Sequence, residues 1–255
     1  MVSQQIRVGV VGARGRMGTA ACEAVRLDPD TELVAQVDEG DSLEVLVQQR
    51  CQVVVDFTNP DVVMENIAFC VKSGIAIVVG TSGITSERIA NIELWVAQRP
   101  QSQVLIVPNF SIGAVLMIHF AEQAARHFES VEIIEMHHPQ KLDAPSGTAA
   151  HTAERIALAR GLSPHAKSSD TPDATTHDPL HARGAKLEGV AIHSVRLSGL
   201  IARQEVLFGG LGETLSIRHD SLTRESFMPG VLLAIKEVSH HEGVTVGLGA
   251  LLFAE

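Results

Sequence analysis

Between Glu135 and Ala149 the chain reads E-M-H-H-P-Q-K-L-D-A-P-S-G-T-A, a dense run of groups that can move protons or hold charge. Histidine gains or loses a proton near neutral pH, which suits His137 to general acid work. His138 is its direct neighbour, so on a strand end the two rings point to opposite sides. One can face a pocket while the other braces it or meets the substrate from another direction. Lys141 supplies a persistent positive charge and three donors, which suits a carboxylate or a departing oxygen. Pro145 favours extended backbone just before it. Ser146, Gly147 and Thr148 then offer helix-capping chemistry and unpaired backbone N–H groups. A helix start of that kind binds anions. Together these groups point to proton transfer on a small substrate that carries a carboxylate.

Such groups need elements to hold them. The apolar run 131–134 predicts a strand leading in, and 148–160 predicts a helix leading out. Upstream, residues 6–11 form a β-branched run that predicts a buried strand. It is followed by Gly12, Ala13, Arg14, Gly15, Arg16, Met17 and Gly18, then by a helical pattern to Leu27. The spacing is G-x-x-G-x-x-G, in the strand–turn–helix context that a dinucleotide fingerprint requires. Glycines there allow a tight turn, close approach to a pyrophosphate and close helix–strand packing. A second strand over 32–37 ends at Asp38, where a carboxylate accepts hydrogen bonds from adenosine ribose hydroxyls, as NADH requires. Arg14 and Arg16 lie in the glycine turn and could hold the 2′-phosphate of NADPH. The expected cofactor is therefore NADH or NADPH.

The βα alternation continues, with strands over 53–56, 75–79 and 103–107 and helices over 61–72 and 85–98. This predicts a parallel sheet with helices on both faces. Ligands in such sheets lie beyond the carboxyl ends of the strands. The turns at those ends carry Phe57 and Thr58, then Gly80, Thr81 and Ser82, then Pro108, Asn109, Phe110 and Ser111. They join the glycine turn and Asp38 as candidate cofactor contacts.

Beyond residue 112 the pattern changes. Residues 113–128 predict an amphipathic helix with Leu116, Phe120 and Ala124 on one stripe. Three β-rich runs, 190–197, 204–208 and 213–218, follow one another without helices, which predicts a mainly antiparallel sheet. A closing helix is expected over 220–239, with a break at Pro229-Gly230, and a final strand or extended tail over 244–252. The polar tract 164–186 carries His165, His177 and His181 without metal-ligand spacing, so these histidines are read as structural or solvated and no metal is expected. The fold class is α/β. A Rossmann-like dinucleotide-binding domain comprises residues 1–107 plus 219–255. An α+β substrate-binding and oligomerisation domain comprises 108–218.

Bulk properties narrow the function. A net charge of −10 argues against nucleic-acid binding. No apolar run approaches the roughly 20 residues of a membrane span. The N-terminus has no basic region followed by an apolar segment, so the expected location is cytoplasmic. Cys22, Cys51 and Cys70 sit in apolar segments and are expected as reduced core thiols.

The chain resembles the 4-hydroxy-tetrahydrodipicolinate reductase family, also called dihydrodipicolinate reductase, over essentially its whole length. The most specific likeness is H-H-x-x-K-x-D-A-P-S-G-T-A at 137–149. Supporting it are G-A-x-G-R-M-G at 12–18, D-F-T at 56–58, G-T-S-G at 80–83 and N-F-S at 109–111. The resemblance implies an enzyme that takes the cyclic dicarboxylate 4-hydroxy-tetrahydrodipicolinate, removes water and transfers a hydride from NADH or NADPH. The product is tetrahydrodipicolinate, on the route to diaminopimelate and lysine. It implies His137 as proton donor and Lys141 as its catalytic partner. It implies His138, Ser146, Gly147 and Thr148 as substrate ligands, and a homotetramer joined through the second domain's sheet. The chain departs from many relatives in having Ser82 after Thr81, Pro108 before N-F-S and no arginine after Asp38. Two rival classes are another dehydrogenase on a similar cofactor domain, and a non-catalytic NAD(H)-binding regulator. The first would need a different substrate motif, and the second a partner-binding module.

Overall fold

The computed structural model describes residues 5–161 and 171–253. The chain packs as two units, Met1–Ile112 with Arg224–Glu255, and Gly113–Thr223. In chain order the first unit begins with β1 (Ile6–Val11), α1 (Arg16–Leu27), β2 (Thr31–Val37), α2 (Glu44–Gln48), β3 (Val53–Asp56) and α3 (Val63–Ser73). It continues with β4 (Ala76–Val79), α4 (Ser86–Ala97) and β5 (Gln103–Ile106). The second unit holds most of α5 (Ile112–Ala125), then β6 (Ser130–His137), α6 (Gly147–Gly161), β7 (Ala185–Leu187), β8 (Val190–Arg196), β9 (Ala202–Gly210) and β10 (Glu213–Ser221). The chain returns to the first unit with α7 (Met228–Glu237), β11 (Gly243–Val246) and α8 (Gly249–Leu252).

The first unit is a six-stranded sheet in the order β11-β5-β4-β3-β1-β2. Every neighbouring pair is parallel. β3 and β4 are buried along their whole length, as expected of strands covered on both faces. Val54, Ile67, Ile77, Leu46 and Ile92 form the centre of its core. Local chemistry sets the helix ends. Thr85 accepts a hydrogen bond from the Arg88 N–H at the start of α4, and Gly74 takes a left-handed conformation after α3. Strand order reverses at β1, which has β2 on one side and β3 on the other, so the switch point lies at the end of β1. Cys22, Cys51 and Cys70 are buried and unpaired. Burial pushes the Cys51 thiol up to about 11 and Cys70 higher still, which keeps both protonated.

The closing segment differs from expectation. Pro229 lies in the first turn of α7 and does not break it, because an N–H there has no helical partner to lose. The residues before it, Arg224–Phe227, form a 3₁₀ turn. A β-carbon on Gly230 would come within 1.9 Å of the Phe110 carbonyl oxygen, so glycine lets α7 press against that loop. The apolar tail divides into β11, which extends the sheet beside β5, and the short α8.

The second unit is a five-stranded sheet in the order β10-β9-β6-β8-β7. β6 and β8 are parallel, and the other neighbouring pairs are antiparallel. The core joins Val131, Ile133, Ile192 and Phe208 of the sheet to Ala121 of α5 and Ala153 and Ile156 of α6. On α5 the buried stripe is Ala114, Met117, Ala121 and Ala125, and Phe120 is half-exposed. The expected stripe through Leu116, Phe120 and Ala124 is its neighbour on a helix apolar on several sides. The side rich in alanine is the one that packs closely. The polar tract is also less irregular than expected, since β7 forms at its end. Arg183 spans Glu132 and Asp173 and ties the tract to β6. His177 and His181 are exposed, while His165 lies outside the described residues.

Candidate active site

β6 alternates buried and half-buried residues, so Glu135 and His137 share one face. Glu135 is fully buried. Arg196 lies opposite His137 in the register with β8 and grips the Glu135 carboxylate with two bonds, 2.9 and 2.8 Å. The Ser146 N–H adds a third donor at 3.3 Å. His137 Nδ1 lies 2.6 Å from Glu135 Oε2. Burial by itself would raise the pKa of Glu135, but bonds from Arg196, Ser194 and His137 outweigh it and hold the carboxyl below its ordinary value. An ionised carboxylate only accepts, so the His137 Nδ1 carries the proton. Burial pushes the His137 imidazole below its ordinary value, and the bond to Glu135 offsets this only in part.

The other motif residues gather near this pair. Lys141 Nζ donates to both oxygens of Asp143 at 2.7 and 3.0 Å. The Ser146 Oγ accepts the Ala149 N–H at 3.2 Å, so this side chain caps α6. Gly147 is exposed with open space around its α-carbon. The Thr148 carbonyl accepts the Thr152 hydroxyl at 2.7 Å, and Thr152 accepts Gln204 Nε2 at 2.8 Å, which anchors the first turn to β9. His138 Nδ1 is buried without a hydrogen-bond partner among the described residues. A buried polar atom in that state is costly unless a ligand pairs it.

In the first unit the predicted cofactor residues line the carboxyl edge of the parallel sheet. Gly12 has φ +77°, and a β-carbon on it would sit 2.5 Å from the Phe57 carbonyl oxygen. A β-carbon on Gly18 would sit 2.0 Å from the Gly12 carbonyl oxygen, so the third glycine brings α1 onto the turn. Gly15 is the N-cap of α1 and no side chain caps that end, which leaves its first N–H groups for an anion. Asp38 accepts the Arg14 N–H at 2.6 Å and the Glu39 N–H at 2.9 Å. These bonds hold its carboxyl below the ordinary value. The Arg14 guanidinium pairs with Asp41 at 3.0 Å, whereas Arg16 is exposed. Gly80 borders the rings of Phe57 and Phe110, whose centroids are 5.5 Å apart, and a β-carbon on it would meet both. Asn109 Oδ1 accepts the Ser111 N–H and shapes the last turn. The Thr81 hydroxyl donates to buried Asp56 at 2.6 Å, so that side chain serves the scaffold, while Ser82 is exposed.

Comparison with known proteins covers both units of the chain. Residues 6–110 match the family model described as dihydrodipicolinate reductase, N-terminus, and residues 113–252 match its C-terminus. The chain belongs to the dihydrodipicolinate reductase family. A 4-hydroxy-tetrahydrodipicolinate reductase of Mycolicibacterium smegmatis is 57% identical over 97% of this chain and 99% of its own length. One from Nocardia farcinica is 58% identical over 97% of the chain and 98% of its own. Among solved structures, a dipicolinate-bound dihydrodipicolinate reductase from Paenisporosarcina sp. TG-14 has TM-score 0.85 and 38% identity, covering 96% of this chain and 98% of that one. An amine dehydrogenase from Mycobacterium smegmatis, 14% identical with TM-score 0.65 over 96% of this chain and 95% of its own, shares the fold.

Within this dihydrodipicolinate reductase fold, some residues around the site were not singled out from sequence. Arg196 ends a strand that the sequence marks only as β-rich. Glu135 was legible only as one carboxylate in a cluster, although E-x-H on a strand places both groups on one face. Asp56 was seen only within D-F-T. It is a hub that accepts from Thr58, Asn66 and Thr81.

Proposed function

We propose that this chain reduces 4-hydroxy-tetrahydrodipicolinate to tetrahydrodipicolinate with loss of water, using NADH or NADPH, in the route to diaminopimelate and lysine. The observation that carries the reading is His137, fixed by Glu135 and Arg196, on the same motif as Lys141 and the start of α6. The relatives named for this activity are 57 and 58% identical. In this reading residues 108–218 bind substrate. His137 Nε2 gives its proton to the substrate while Nδ1–H stays on Glu135. Lys141 assists with its positive charge. The Gly147 and Thr148 N–H groups hold a ring carboxylate, with His138 Nδ1 as a further partner. Ser146 acts by capping α6 and so aiming those donors.

Residues 1–107 plus 219–255 hold the cofactor in the same reading. The crowded Gly12 and Gly18 and the uncapped start of α1 fit a pyrophosphate, and Asp38 fits a ribose. The bound nicotinamide supplies the hydride. Arg16, which has no ion-pair partner among the described residues, serves a 2′-phosphate, and Asp38 serves the free ribose of NADH, so both cofactors are used. A cytoplasmic homotetramer completes the reading. The test is a coupled assay. Substrate is generated from pyruvate and aspartate semialdehyde by a synthase, and loss of NADH or NADPH absorbance is followed. Loss dependent on this protein is expected, and no loss with either cofactor overturns the reading.

A further inference from the structure

Asp143 is a charged residue of the motif for which the proposed chemistry has no use. Its carboxylate nevertheless occupies Lys141, whose charge the reading above turns toward the substrate. Lys141 Nζ binds both of its oxygens, at 2.7 and 3.0 Å. The Lys141 ammonium is also the largest of the influences that hold the Asp143 carboxyl below its ordinary value. The Asp143 backbone is held independently, since its carbonyl accepts Arg196 Nη2 at 2.7 Å. Its side chain is 56% exposed, so rotation about its own torsions can carry the carboxylate into solvent without moving the loop.

We propose that Asp143 is a stand-in carboxylate, which pairs with Lys141 until the substrate arrives and surrenders it to the incoming substrate carboxylate. This role rests on the assignment of Lys141 to the substrate site. The exchange swaps one carboxylate for another, so Lys141 stays paired throughout. That matters for the neighbouring acid, because the Lys141 charge disfavours the protonated form of His137. A ring without a carboxylate cannot replace Asp143 and is rejected. Asp143 is therefore a specificity-determining residue.

The test is calorimetric binding of pyridine-2,6-dicarboxylate to the full chain with saturating NADH. Wild type, Asp143→Asn, Lys141→Ala and the double variant are compared, with Asp143→Ala as a second replacement. Loss of an exposed ion-pair competitor predicts about threefold to fivefold tighter binding in both Asp143 variants. The gain should vanish in the Lys141→Ala background, because the competition runs through Lys141. Equal or weaker binding in the Asp143 variants overturns the proposal, as does a gain of the same size without Lys141, which marks general repulsion. A folded wild type that does not bind the dicarboxylate at all overturns the site assignment itself. That result is distinct from a wild type that binds and variants that bind no tighter.

Discussion

His137 Nδ1 meets Glu135 Oε2 at 2.6 Å, two residues back along the same strand, and the carboxylate is itself gripped by Arg196. This contact selects one tautomer of His137 and raises its proton affinity against the opposing effect of burial. Glu135→Gln removes the charge while keeping the shape. A general acid works only when protonated, so activity declines as pH rises through the His137 value. Without the carboxylate that value drops further. The alkaline decline of kcat/KM is expected to move to lower pH in Glu135→Gln, and an unmoved profile would sink the assignment.

His137→Gln and Lys141→Ala test the chemical step. Loss of a general acid typically costs about 10²- to 10⁴-fold in rate, and His137→Gln should fall in that range. Lys141→Ala should lower kcat/KM strongly as well. Both variants should keep wild-type circular dichroism, and near-normal turnover in both would contradict the proposed roles.

Arg196 is the main partner of a fully buried carboxylate. Arg196→Met leaves Glu135 buried with its charge uncompensated. Breaking such a pair costs roughly 3 kcal/mol. A clear drop in the urea midpoint is expected, with accompanying loss of activity as His137 loses its anchor. An unchanged midpoint would mean that water replaces the guanidinium.

Gly80→Ala probes the aromatic cradle. The new β-carbon would lie 2.3 Å from Phe57 Cε1 and 2.7 Å from Phe110 Cε2. Overpacking of that kind costs about 1–3 kcal/mol. Melting temperature should fall, and KM for the cofactor should rise more than KM for the substrate.

Arg16 and Asp38 are expected to divide the two cofactors. Arg16→Ala should raise KM for NADPH several-fold and leave NADH nearly unaffected, because the arginine serves only the 2′-phosphate. Asp38→Asn should chiefly weaken NADH. Parallel kinetics with both cofactors would expose equal effects, which would exclude this division.

Much of the cofactor half was legible in the sequence because its signals are covalently local. The glycines at 12, 15 and 18 lie within one turn, and each β-branched run ends in its own loop. The H-H-x-x-K-x-D-A-P-S-G-T-A motif was legible for the same reason, since a strand end and a helix start place those residues together whatever the rest of the chain does. Only the tertiary structure decided contacts that depend on register. Arg196 reaches Glu135 across 61 residues because β8 pairs in parallel with β6 and aligns Arg196 with His137. Thr81 reaches Asp56 because β4 lies beside β3. The buried side of α5 was likewise open, because hydrophobicity alone does not distinguish adjacent stripes on a helix apolar on several sides, whereas packing against the sheet selects the small residues. Adjacency along the chain therefore placed Glu135, His137 and Lys141 together, and strand pairing supplied the guanidinium that grips Glu135.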